Sequence, residues 1–391
     1  MRKGILICLG VLLLVVFATP VVHAEVAGYN KGFFVKNDDD TFKLNLNGRV
    51  QTKLFYQYQG GNPQQLSFQM RRVQLNVASS FHEVVSAGFT LQHALASAAN
   101  TTFQTVNVTG ATAAVQVVPQ LAIEVGMVGL SLDLMGMTSS KWFLLTEAPV
   151  TSTQDDAGYS LTFMRPSFGV PDGLGVSVAG EVGKWYYQLN VVNGTDSNYQ
   201  VNPDRKMDAS FRTGVNILDP VPASQTDFAH SETPQLTVNA GGMYQGKKWD
   251  DSVADGGTGA VFKYLLTASL GAAYRYKGFA LTGEGYYRYT RVLDIGTSQW
   301  ARSKLTDVGA YLALGYYVIP KKLELAALGG AIIRQGPSND AYQGGAGINY
   351  YVFDNNLKLQ LAYTLSKDYN DQGTLQGRKI SNVALMASAL F

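Results

Sequence analysis

The residues that most often perform catalysis or bind metals are scattered along this 391-residue chain. The histidines His82, His93 and His230 stand far apart and do not have the spacing of metal ligands. No serine lies in a distinctive nucleophile context, and no phosphate-binding or dinucleotide-binding glycine loop occurs. The sequence therefore predicts neither an enzyme nor a bound metal or cofactor.

Charged and polar residues instead recur at every second position, most clearly in residues 41–58. Apolar residues occupy one parity of this stretch, and polar or basic residues occupy the other. Period two is typical of a β-strand, because successive side chains point to opposite faces. The run is longer than the usual strand of about 5–6 residues. It fits a strand with lipid on one face and water on the other, although an edge strand of a soluble sandwich also alternates.

The composition favours the membrane interpretation. Charged residues make up 15% of the chain, against about 25% in soluble domains. The 22 tyrosines are expected where aromatic girdles sit at both membrane interfaces. After residue 24 no apolar run of about 18 residues occurs, so no transmembrane helix is predicted.

Residues 1–24 have the organisation of a cleavable signal peptide. Arg2 and Lys3 form its basic start, an apolar run follows, and Val22-His23-Ala24 forms a small-residue cleavage site. The remaining chain has 29 basic residues (31 minus Arg2 and Lys3) against 29 acidic ones. This balance gives no reason to expect a nucleic-acid partner.

Residues 25–391 are predicted to form a single all-β domain, a transmembrane antiparallel β-barrel of about sixteen strands. Alternating runs are joined by short turns on one side and longer loops on the other, as in bacterial outer-membrane barrels. A parity shift between Met70 and Val73 predicts a β-bulge. The terminal Phe391 fits a closing, lipid-facing strand. A strand-only chain in lipid must close into a barrel, and this strand number leaves an aqueous channel.

Residues 129–172 form the longest connection without a strand pattern. Long loops in compact folds are usually functional or disordered, and the apolar content here argues against disorder. We therefore expect this connection to fold into the lumen and to form its narrowest point. Trp142 and Phe143 are expected to pack the loop against the wall, while Lys141 and Arg165 are its notable cations.

The charges predicted to face the lumen are mostly basic. Ten basic wall residues stand against five acidic ones, Glu124, Glu181, Asp208, Glu284 and Glu324. A surplus of Arg and Lys in a pore favours anions or phosphate. The alternative is that these charges pair with one another and only keep the pore wet. The predicted pore-lining and anion-binding residues, with the two loop cations, are Lys43, Arg49, Lys53, Arg72, Lys141, Arg165, Lys206, Arg212, Lys263, Arg275, Arg288 and Lys358.

Several segments resemble the phosphate-selective porin O and P family. The residues at 32–51 resemble its start, and so does the arginine pair in 68–75. Residues 121–126, followed by Thr138-Ser-Ser-Lys-Trp-Phe143, look like its strand and third loop. Further matching segments lie at 173–176, 187–194, 283–287, 323–327, 348–351 and 357–361.

The resemblance implies a trimeric, sixteen-stranded outer-membrane porin with its third extracellular loop folded inside. Phosphate-selective members have basic ladders and loop lysines at the constriction, whereas residues 129–157 of this chain carry a single basic residue, Lys141. We therefore expect a passive channel of the bacterial outer membrane for small hydrophilic solutes, favouring phosphate or other anions. Its other partners would be outer-membrane lipid and lipopolysaccharide. One alternative is a non-selective diffusion porin. The alternative of another class is an outer-membrane enzyme or receptor.

Overall fold

The computed structural model describes most of the barrel wall, the turns and part of the third loop. The described residues are 26–29, 32–59, 65–93, 106–130, 132–146, 173–194, 206–246, 261–294, 304–335, 340–367 and 379–391. The predicted signal peptide, Arg165 and residues 147–172 of the predicted constriction loop lie outside them.

The described residues form eighteen strands, of which two are short: β1 (Val26–Tyr29) and β2 (Phe33–Lys36). The other sixteen are β3 (Phe42–Gln59), β4 (Gln65–Phe81), β5 (Val85–His93), β6 (Val106–Val118), β7 (Leu121–Val128), β8 (Gly173–Val182), β9 (Trp185–Asn193), β10 (Met207–Asn216), β11 (Gln235–Gln245), β12 (Val261–Tyr276), β13 (Phe279–Asp294), β14 (Lys304–Ile319), β15 (Leu323–Arg334), β16 (Ala341–Phe353), β17 (Leu357–Lys367) and β18 (Lys379–Leu390). Between β7 and β8 lie a short helix, α1 (Leu134–Met137), and a 3₁₀ turn (Ser140–Trp142). In the described part of the chain, no helix is long and apolar enough to span a membrane.

The sixteen long strands close into one antiparallel barrel. Each pairs with its neighbours in the chain, and β18 pairs with β3 from Ile380↔Gln59 to Leu390↔Arg49. Where β18 ends, the backbone of Phe391 exchanges hydrogen bonds of 2.7 and 3.0 Å with Gly48. Beyond the end of β18, the same edge of β3 is paired with the β1–β2 hairpin, because β2 pairs with residues 43–46. The predicted sixteen-stranded antiparallel barrel is confirmed.

Burial along the strands follows the alternation of the sequence. In β14 exposed and buried residues alternate almost throughout. The outward side chains are apolar, and aromatic residues such as Tyr58 and Tyr363 at one end, and Trp185 and Tyr350 at the other, are exposed. The predicted bulge is confirmed, because the β3–β4 register shifts between Gln51 and Thr52.

The two ends of the barrel differ in their connections. At one end, called here the turn end, most strands are joined by two to five residues. The exception is the connection between β10 and β11, residues 217–234. Its central part, residues 220–231, is called here the inner turn segment, and its residues Ser224, Gln225, Thr226 and Asp227 are buried. The sequence indicates a proline-bearing connection here, but it does not show that the connection turns into the barrel.

Candidate pore and constriction site

Residues 132–146, called here the inner loop segment, lie against the inner wall of the barrel. Ser269 Oγ on β12 donates to the Leu132 carbonyl at 2.7 Å, and Asn349 Nδ2 on β16 donates to the Leu144 carbonyl at 2.9 Å. Leu144 and Leu145 are buried in the main apolar cluster of the molecule. Polar wall residues and an apolar loop face therefore fix the segment inside the barrel.

A buried carboxylate on β13 holds the start of this segment. Glu284 accepts hydrogen bonds from the backbone N–H groups of Leu134 at 2.7 Å and Met135 at 3.0 Å. It also accepts one from the Tyr311 hydroxyl at 2.5 Å. Asp133 caps α1 by accepting from Gly136 N at 2.6 Å. Glu284 therefore faces the loop backbone rather than the open lumen.

A buried lysine on β17 holds the other half of the segment. Lys358 Nζ donates to the carbonyls of Lys141 at 2.9 Å and Phe143 at 3.4 Å. The neighbouring inward residue Gln360 donates to the Phe143 carbonyl at 3.1 Å. Lys358 is 1% exposed, so its ammonium group meets loop carbonyls and not solvent. Phe143 is buried as the sequence predicts, whereas Trp142 is half-buried.

The inner turn segment supports the inner loop segment from the turn end. Gln225 Oε1 accepts from Leu144 N at 2.9 Å, and Thr226 Oγ1 donates to Glu324 at 2.5 Å. Arg275, which is 1% exposed, donates to the Ser224 carbonyl and to the Thr282 hydroxyl. Arg275 and Glu324 therefore face inward and hold the inner turn segment in place.

Arginines gather where the inner loop segment meets β3 and β4. Arg49 Nη1 donates to Ser140 Oγ at 2.6 Å and to Ser139 Oγ at 3.2 Å. Arg72 Nη1 donates to Gln51 Oε1 at 3.2 Å. Arg72 pairs with Gln51, two positions from Arg49 on β3, and Arg71 is the extra residue of the bulge beside it, so the three positive charges repel one another. Sequence reasoning missed Arg71, although the bulge that it predicted at this place could have indicated it.

The remaining predicted basic residues are dispersed. Lys53 is buried with Nζ 4.9 Å from the centroid of the Phe55 ring. Arg212 lies over the Tyr186 ring, and Arg288 forms an ion pair with Asp307. Lys206 is half-buried, whereas Lys43 is exposed at the turn end of the barrel. Lys263 is exposed at a register shift near the opposite, loop end.

The predicted acidic residues divide by burial. Asp208 is buried and accepts from Gly246 N at 3.1 Å. Glu124 is half-buried and Glu181 is exposed. Within the described ranges, no group of three or more His, Cys, Asp or Glu side chains could hold a metal ion.

Comparisons with solved structures give the same barrel fold. An anion-selective porin from Comamonas acidovorans aligns with a TM-score of 0.58 at 12% identity, covering 90% of this chain and all of that chain. The outer-membrane channel DcaP of Acinetobacter baumannii gives 0.57 at 13% identity, covering 94% and 100%. In-vitro folded OmpT, an outer-membrane protein of Vibrio cholerae, gives 0.59 at 10% identity, covering 90% and 98%. At these identities the likeness shows the fold alone.

Sequence comparison adds the family. A search of curated proteins gives no match. Residues 42–214 match the model of a family described as phosphate-selective porin O and P, so the resemblance seen in the sequence is confirmed. The family and the fold indicate a passive channel rather than an enzyme. Over residues 42–214 the chain therefore matches the phosphate-selective porin O and P family, and its described residues form the same barrel fold as solved outer-membrane porins.

Proposed function

We propose that this outer-membrane channel is a water-filled pore for small hydrophilic solutes and that it favours anions, phosphate among them. The observation that carries the proposal is the burial of the inward charges. Of the inward charges predicted from the sequence, those that are buried are withdrawn from the pore, and those that stay accessible are mostly basic.

Burial removes a larger fraction of the predicted acidic residues than of the basic ones. Of the five predicted acids, Asp208, Glu284 and Glu324 are buried, which leaves Glu124 and Glu181. The ten predicted basic wall residues lose only Lys53, Arg275 and Lys358. The seven that remain are Lys43, Arg49, Arg72, Lys206, Arg212, Lys263 and Arg288, the last of which is paired with Asp307. The ratio of basic to acidic groups able to meet a solute therefore rises.

The group of Arg49, Arg71 and Arg72 concentrates positive charge beside the inner loop segment. Three guanidinium groups at one place raise the local concentration of anions and lower that of cations, because low-dielectric walls focus their field. Rings of Arg and Lys favour the passage of anions or phosphate for the same reason. Arginine also presents a planar set of donors that suits oxyanions.

The cleavage site is inferred from the sequence, and the trimer and the lipid contacts are inferred from family and fold. We expect cleavage after residue 24, a homotrimer, and contacts of the outward apolar belt with lipid and lipopolysaccharide. One neighbour of the same fold, at 12% identity and a TM-score of 0.57, is described as a trimer form of OmpT. Chemical cross-linking in detergent would test the trimer, and amino-terminal sequencing of the exported protein would test the cleavage.

The test of selectivity is the zero-current potential of the purified protein in a planar bilayer under a KCl gradient. We expect a chloride-selective potential that falls when Arg49 and Arg72 are both replaced by Gln. Lys379→Gln, at an exposed position where β18 begins, is the matched control and should change the potential less. A cation-selective potential would overturn the anion preference, and equal permeability would identify a general diffusion porin. The absence of any conductance would return the question to an enzyme or receptor.

A further inference from the structure

We propose that a cavity between the two inner segments binds a sugar-sized, hydroxylated ring that carries one negative charge, such as a sugar acid. This inference deepens the proposed function, on which it rests, by naming a class of anion. It depends on three properties of the cavity: its aromatic surface, the unpaired amide group of Asn355 and its net charge.

The cavity has a volume of about 330 Å³ and lies where the inner loop segment, the inner turn segment and the turn end of the wall meet. This volume is near the lower limit of the ~300–1,000 Å³ typical of small-molecule sites. Trp142 comes from the inner loop segment and Phe228 from the inner turn segment, with ring centroids 6.2 Å apart at an interplanar angle of 49°. Both rings are half-buried, so part of each is available to a flat, partly apolar solute such as a pyranose ring.

Amide side chains occupy the polar part of the lining. Asn47, Asn76 and Asn355 all line the cavity, and Asn76 Nδ2 donates to Asn47 Oδ1 at 2.9 Å. Asn355 is 6% exposed, yet both its Nδ2 and its Oδ1 lack a hydrogen-bond partner among the described residues. A buried amide in this state destabilises the protein unless something binds it.

The unpaired donor and acceptor of Asn355 suit a hydroxyl group better than an ion. A hydroxyl both donates and accepts, so two neighbouring hydroxyls of one ring can satisfy both amide atoms at once. A chloride ion could only accept, and it would leave Oδ1 unpaired. This feature distinguishes the cavity from a site built only for a simple anion.

The charges of the lining favour a single negative charge on the solute. Arg49 and Lys141 contribute two positive charges and Asp354 one negative charge. A carboxylate on the ring would offset the remaining positive charge, whereas a neutral sugar would not. The Nε atom of Arg49 is buried without a hydrogen-bond partner among the described residues, which leaves a donor for an oxyanion.

The experiment measures block of the potassium chloride current through the full-length channel in a planar bilayer. D-glucuronate is the probe, D-glucose has the ring without the charge, and acetate has the charge without the ring. We expect glucuronate to block at the lowest concentration. Asn355→Ala and Trp142→Ala should each raise its half-blocking concentration by about three- to tenfold, the loss expected for one hydrogen bond or one ring contact. Phe228→Leu is a further variant if either protein fails to insert.

Trp185→Ala is the matched control, because Trp185 is an exposed aromatic residue on the outer surface of the barrel. It should leave the half-blocking concentration unchanged. Equal block by acetate and glucuronate, equal block by glucose and glucuronate, or identical block of the wild type and the three cavity variants would each overturn the inference. The zero-current potential of the same preparation reports the proposed anion preference separately. A chloride-selective channel without glucuronate block would thus refute the cavity assignment alone.

Discussion

Replacing Glu284 by alanine should release the start of the inner loop segment and widen the pore. Glu284 is the acceptor for the backbone N–H groups of Leu134 and Met135 at 2.7 and 3.0 Å, and for the Tyr311 hydroxyl. Alanine leaves these donors unpaired in a buried place. Each orphaned backbone N–H costs about 1–3 kcal/mol, so the two together destabilise the bound segment by about 2–6 kcal/mol. That energy changes the ratio of bound to released segment by roughly 30- to 20,000-fold.

The release should be partial, because the other half of the segment keeps its own bonds. Lys358, Gln360 and Asn349 still hold the carbonyls from residue 141 to residue 144. We therefore expect a higher single-channel conductance and a smaller chloride-selective potential, with the barrel itself still folded. The assay is single-channel recording in a planar bilayer, with far-ultraviolet circular dichroism to confirm strand content.

Two further variants separate loss of the anchor from loss of a charge. Tyr311→Phe removes only one donor to Glu284 and costs about 0.5–1.5 kcal/mol, so its conductance should stay near that of the wild type. Glu181→Ala also removes one acid, but from an exposed position, and it should not raise the conductance. A folded Glu284→Ala channel with wild-type conductance and potential would refute the assignment of Glu284 as the anchor.

Three other predictions concern the wall and the second inner segment. Gly126→Ala should destabilise the barrel, because Gly126 has φ +128° and an added Cβ would lie 2.1 Å from the Ala111 carbonyl oxygen. Gly344→Ala is the control, because no atom of the described residues lies within 4 Å of its added Cβ. Equal thermal unfolding temperatures of the two variants would contradict the prediction. Gln225→Ala should leave the buried Leu144 N–H unpaired at a cost of about 1–3 kcal/mol and raise the conductance, whereas an unchanged current would mean that the inner turn segment does not support the loop. Arg275→Met should lower the unfolding temperature, since it removes the donor to the Ser224 carbonyl. Unfolding at the wild-type temperature would mean that Arg275 does not stabilise the inner turn segment.

The sequence could predict the wall of this protein because the wall is governed by a local rule. In each strand, lipid contacts one face and the lumen contacts the other, so the period-two pattern of residues 41–58 is enough to assign the outward side. The bulge beside Met70 is visible for the same reason, since one extra residue exchanges the two faces. Strand number and closure then follow from the count of alternating runs and from the cost of unpaired backbone in lipid.

Only the tertiary structure decided what each inward residue contacts. The alternating pattern places Arg49, Arg275, Lys358 and Glu284 on the inner face, but it contains no information on whether water or another segment covers them. Lys358 is bound by the carbonyl of Lys141, 217 positions away in the chain, and Arg275 is bound by a connection whose inward fold the sequence did not reveal. Parity along a strand determines the side on which a residue lies, whereas burial inside the barrel depends on contacts between segments that only the closed fold brings together.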